Sequence, residues 1–74
     1  MINLSDAKEG IYKIVGFEKA GKDRIKKLYN LGVFIGDTIE VIKPGPGPVI
    51  IKKGNTRIGI GFGIATDIIV EPID

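Results

Sequence analysis

The segment PGPGP at residues 44–48 sets three prolines one residue apart between two runs rich in apolar, β-branched residues, TIEVIK and PVIIKK. Proline lacks an amide hydrogen, holds φ near about −65° and steers the residue before it toward extended geometry. The segment therefore cannot be an inner strand, and the runs beside it must be separate elements joined by a stiff connection. In a chain of 74 residues, short runs divided this way point to one mainly β domain over residues 1–74. A domain of that size buries only about 60% of the surface its unfolded chain exposes. With no cysteine and no histidine, neither disulfides nor a thiolate or imidazole zinc site can add stability, so packing and backbone pairing must suffice.

GIYKIVGF, residues 10–17, follows the polar stretch SDAKEG and is rich in aromatic and β-branched types, as a strand requires. Ile11, Val15 and Phe17 share one face with Lys13, and Tyr12 and Ile14 share the other, so both faces are expected to be partly buried. The next stretch, AGKDRIKKLYNLG (20–32), changes period. Ile25, Leu28, Tyr29 and Gly32 recur at i, i+3, i+4 and i+7, which predicts a helix that turns Ile25, Leu28 and Tyr29 inward and stops at Gly32. TIEVIK (38–43) and PVIIKK (48–53) read as strands, and GN after the latter signals a two-residue hairpin turn. The return run TRIGIGFGI (56–64) alternates Ile58, Ile60, Phe62 and Ile64 with Gly59, Gly61 and Gly63, predicting one long strand with a glycine face. IIVEPI (68–73) closes the series. Five strands and one helix inserted after the first strand make a small curled sheet or barrel.

Three features offer themselves as contact surfaces. Pro44, Gly45, Pro46, Gly47 and Pro48 form either a stiff connection or a preformed ridge held out for a partner. Gly59, Gly61 and Gly63 mark either a bend or close backbone crossing, or a flat patch on which a partner could lie. Lys22, Lys26 and Lys27, with Lys19 and Arg24, place basic groups on the solvent side of the helix, either as a solvated face or as a patch for an acidic surface, anionic lipid or RNA. The small core is expected to take up most of Tyr12, Phe17, Tyr29, Phe34 and Phe62.

Without histidine or cysteine, Ser/His and Cys/His nucleophilic catalysis is excluded. The nine carboxylates are dispersed, no GxxxxGK[ST] occurs, and GIGFG does not lead into a dinucleotide fingerprint. The expectation is a non-enzyme with no cofactor and no metal site. A net charge of +2 is weak for a nucleic-acid binder. MINLSDAKEG has neither the basic start nor the apolar stretch of a secretory signal, and no apolar run approaches the roughly 20 residues of a membrane span, so a cytoplasmic protein without membrane insertion is expected.

The order LSDAKEG, strand, LYNLGVFIGDTIEV, loop, GPVIIKKGNTRIGI and ATDIIVEP resembles the FeoA (ferrous iron transport protein A) family over nearly the whole chain. The most specific part is LxxLGVxxGDxIEV from Leu28 to Val41. The resemblance implies an SH3-like β-barrel with the helix between its early strands. It also implies a cytoplasmic, non-enzymatic accessory of ferrous iron uptake whose partner is the cytosolic, GTPase-bearing part of a membrane ferrous iron transporter (FeoB-like). Other expectations left open are a small barrel binding RNA or a peptide, a regulatory domain like that of metal-dependent repressors, and any oligomeric state.

Overall fold

Alternation within each apolar run decides which side chains meet. In the computed structural model, which describes residues 1–18 and 21–73, β1 (Ile2–Asn3) leads into a 3₁₀ turn at Leu4–Asp6. There follow β2 (Gly10–Phe17), α1 (Lys22–Asn30), β3 (Thr38–Lys43), β4 (Val49–Lys53), β5 (Thr56–Ile60), the short helical turn α2 (Phe62–Ala65) and β6 (Ile68–Pro72). The strands form one antiparallel sheet in the order β1-β6-β2-β3-β4-β5. The pairs Tyr12↔Ile39, Ile14↔Val70, Val41↔Ile51, Ile51↔Ile58 and Val49↔Ile60 place the buried side chains in cross-strand register on the inner face. Leu4 of the 3₁₀ turn, Ala7 just after it, Leu28 of α1, Val33 of the loop that follows α1 and Ala65 of α2 close that face. Among the described residues no polar or charged residue is buried, so every side chain in the core contributes to the apolar burial that drives folding.

The fold is mainly β, as expected, with three differences of detail. Six strands replace five, because Ile2 and Asn3 pair with Val70 and Ile69. The hydrogen-bonded order is open, with β1 and β5 at its two edges, so the curled sheet does not close into a continuous barrel. In β2 the register with β6 shifts between Ile14 and Gly16. That bulge breaks the face predicted for Ile11, Val15 and Phe17: Ile11 is 51% exposed, whereas Phe17 packs against the core.

The largest correction lies in TRIGIGFGI. The strand stops at Ile60, and Phe62–Ala65 coil into α2, with Ile64 and Ala65 donating their amide hydrogens to the Gly61 carbonyl at 3.0 and 2.9 Å. The cause lies across the ladder. Ile60 pairs with Val49, and the next residues would face Pro48 and the rest of PGPGP, which offers no regular row of donors. Glycine gives little strand preference to resist the change. Gly59 therefore lies in β5, Gly61 caps α2 and Gly63 lies within it, so they do not share a strand face. Nor does a neighbour press on them, because a Cβ at any of the three would have no atom within 4 Å.

Candidate docking surface

α1 has Leu28 as its single buried side chain, Asp23 in its first turn and Lys27 in its last. Arg24 forms an ion pair with Asp67, tying the helix to the turn before β6. At its end Leu31 is the cap, and Gly32 takes φ 87°, the left-handed conformation that reverses the chain. Gly32 and Val33 donate to the carbonyls of Tyr29 and Leu28 at 3.0 and 2.9 Å, and Val33 is fully buried. The next residues are thus thrown outward from a fixed point.

Asp37 organises them. Its Oδ2 accepts the Phe34 amide hydrogen at 2.9 Å and pairs with Lys53 Nζ at 2.8 Å, and Lys53 Nζ also donates to the Gly32 carbonyl at 2.8 Å. Gly36, at φ 97°, allows the turn between them. The Gly36 amide donates to the Ile14 carbonyl at 2.7 Å, and Ile14 donates back to the Asp37 carbonyl at 2.9 Å, so the loop is stitched to β2. Phe34 stacks on Tyr29 with ring centroids 5.2 Å apart, Tyr29 tilts against Phe17 at 6.2 Å, and Lys53 Nζ lies 4.9 Å from the centre of the Phe34 ring. The result is an aromatic shelf. Beside the stacked rings, Tyr29, Leu31, Phe34 and Ile35 are 43%, 40%, 43% and 54% exposed, four large apolar side chains close together in the chain.

This corrects the expected use of the aromatics. Of the five, Tyr12 is buried, Phe17 is partly buried, and Tyr29, Phe34 and Phe62 stay exposed. Tyr29 was expected inward with Leu28. The nine-residue helix buries a single side chain, and Leu28 takes that place. The Asp37–Lys53 pair escaped sequence reasoning, since nothing local links a turn residue to the end of β4. The signal that existed was Val33, Phe34 and Ile35 in a row within a loop, more apolar surface than a loop can hide.

Of the other expected contacts, two lysines adjoin the shelf and PGPGP packs elsewhere, against α2. Lys22, Lys26 and Lys27 are exposed, as expected; Lys19 of the same cluster and Ala20 of the helical stretch lie outside the described residues. At helical spacing Lys22, Lys26 and Tyr29 fall on one stripe (i, i+4, i+7), so two lysines border the shelf and Lys27 points elsewhere. PGPGP is not a free ridge. Pro46 and Pro48 are exposed, but Pro44, Gly45 and Gly47 are half-buried, and a Cβ on Gly45 would come within 2.8 Å of Phe62 Cε1 and 3.4 Å of the Ser5 carbonyl oxygen. The loop and α2 interlock. Gly45→Ala is expected to cost about 1 kcal/mol by displacing the Phe62 ring, and to cost almost nothing in a Phe62→Ala background. Equal costs in both backgrounds, measured by urea unfolding, would show that the contact is not what constrains residue 45.

No three carboxylates gather as a metal site among the described residues, and no described helix is long and apolar enough to cross a membrane. An antiparallel sheet of six short strands, with one helix between its second and third strands and an aromatic shelf beside that helix, defines a small SH3-like domain. Its fold matches that of Stenotrophomonas maltophilia FeoA, described as an SH3 domain protein, with a TM-score of 0.73 at 19% identity over 96% of this chain and 91% of that one. The chain belongs to the FeoA family: the FeoA domain model matches residues 2–72. A Methanocaldococcus jannaschii protein named as an Fe(2+) transport protein A is 41% identical over 96% of this chain and 87% of its own length. The crystal structure of an iron uptake regulatory protein (FeoA) superposes with a TM-score of 0.84 at 34% identity, covering 97% of both chains. Ferrous iron transport is the setting in which the family is named.

Proposed function

We propose that this chain is a non-enzymatic accessory of ferrous iron uptake, docking through its aromatic shelf on the cytosolic, GTPase-bearing part of a membrane ferrous iron transporter. The observation that carries the reading is the shelf itself. Leu31, Phe34 and Ile35 are exposed on a loop that Asp37 and Lys53 hold in place, where a merely solvated loop would have polar residues, and Tyr29 is exposed beside them in the last turn of α1. Family membership supplies the transport context. Lys22 and Lys26 give the shelf a basic border suited to an acidic partner surface. The family's link to ferrous iron transport and the absence of a long apolar helix among the described residues fit action at the inner face of the membrane through that partner.

The test is an amide NMR titration of the labelled protein with the transporter's cytosolic domain. Saturable shifts should centre on Tyr29, Leu31, Phe34, Ile35 and Lys53. Lys22→Glu and Lys26→Glu should each weaken binding by about threefold at low salt, and Lys27→Glu by less. Shifts confined to PGPGP and α2 would move the docking face there. Binding to RNA with a steep salt dependence, and none to the transporter domain, would overturn the reading.

A further inference from the structure

The open sheet leaves β5 as an edge, and the geometry of its hairpin determines which backbone groups are free. Gly54 and Asn55 form a two-residue turn that pairs Lys53 with Thr56, and the pair closing such a turn exchanges both of its hydrogen bonds. Alternation then makes Ile51↔Ile58 and Val49↔Ile60 the other hydrogen-bonded pairs. The amide and carbonyl groups of Arg57 and Gly59 point away from β4, and no residue of β5 makes a hydrogen bond outside the ladder among the described residues. Both residues are exposed, and their side-chain positions lie on the outer face, opposite to the buried Ile58 and Ile60.

The surroundings of this edge select what could pair with it. Lys52 lies directly across from Arg57, like charges in register, and Glu40 lies on the far side of Lys52. No carboxylate pairs with Arg57 among the described residues. At Gly59 the outer face is empty. On the inner side an open groove of about 220 Å³ runs beside the edge, lined by Leu31, Gly32, Lys53, Thr56 and Ile58.

We infer that β5 accepts an extended segment of a partner protein as a seventh strand, one with a carboxylate, an apolar residue and a large residue in succession. Hydrogen bonds to Arg57 and Gly59 fix its register. The carboxylate lies opposite Arg57, the apolar side chain enters the groove against Leu31 and Ile58, and the large side chain covers Gly59. A second copy of this edge does not fit, because residues 48–60 contain Lys52, Lys53 and Arg57 and no acidic residue. The inference rests on the reading of the chain as an interaction module and adds the chemistry of what it holds. It is tested with a synthetic peptide, so its failure leaves the transporter titration standing as a separate result.

The probe is the capped peptide Ser-Thr-Glu-Leu-Phe-Thr-Ser, with its glutamate-to-lysine counterpart as control, added to the full chain. Saturation should slow amide exchange at Arg57 and Gly59 by about tenfold and shift Leu31, with the lysine peptide binding about tenfold more weakly. Gly59→Pro removes one outward donor and no ladder hydrogen bond, so the hairpin should persist while peptide binding falls about tenfold. Should that variant unfold, Arg57→Glu decides, by reversing the preference to the lysine peptide. Absence of peptide binding, binding without protection of Arg57 and Gly59, or equal binding of the two peptides would overturn the inference.

Discussion

Leu28→Ala is expected to lower the stability of the domain by about 2–5 kcal/mol, the range for emptying a fully buried leucine site. Domains of this length have about 4–11 kcal/mol in all, so the variant should unfold at a far lower urea concentration and be partly unfolded at 37 °C. The magnitude follows from α1 having no second buried anchor. Ile25 is half-buried and the Arg24–Asp67 pair is largely exposed on the arginine side, a class of contact worth about 0–1 kcal/mol. The loss should also reach the shelf, because the Leu28 carbonyl accepts the Val33 amide hydrogen that sets where the loop leaves the helix. Tyr29→Ala on the same helix, at a position 43% exposed, should cost less than about 1 kcal/mol. Equal urea midpoints for the two variants would mean that the helix is held by its polar contacts.

Asp37→Ala is expected to cost about 2 kcal/mol and to weaken docking by more than its stability effect alone explains. The carboxylate makes one charge-assisted hydrogen bond to the Phe34 amide, a class worth about 1.5–3 kcal/mol, and one ion pair with Lys53 that solvent partly screens. Removing it frees Phe34 and leaves Lys53 with the Gly32 carbonyl and the aromatic ring. Asp37→Asn keeps an acceptor and loses the charge, so it should cost about half as much. Thermal unfolding gives the first quantity, and titration with the transporter domain, at temperatures where both variants remain folded, gives the second. A variant that loses 2 kcal/mol of stability yet docks unchanged would place the docking face away from Phe34.

Features that depend on neighbouring residues were legible in the sequence. The helix stop at Gly32 and the turn at Gly54 have the positive φ values, 87° and 59°, that their positions called for. TIEVIK and PVIIKK form strands as read, with Ile39, Val41, Val49 and Ile51 buried. What failed depended on distant partners. The glycine alternation after Ile60 has the period of a strand, but a strand also needs a neighbour, and that neighbour was PGPGP. β1 was missed because two residues carry no period and pair only through the far end of the chain. The shelf was missed for a third reason: Tyr29 has the spacing of a core residue, and only the packed fold shows that Leu28 is the one α1 side chain that is fully buried.

The paired hydrogen bonds between Ile14 and the turn at Gly36 and Asp37 bear on the entropy of association. A surface loop that must be ordered by its partner loses part of the contact energy to that ordering, commonly about 0.5–1.5 kcal/mol for each side chain immobilised. Here the backbone under Phe34 and Ile35 is fixed to the centre of the core when the chain folds. A partner thus meets a surface with little freedom left to lose, and even a modest contact area can yield measurable affinity.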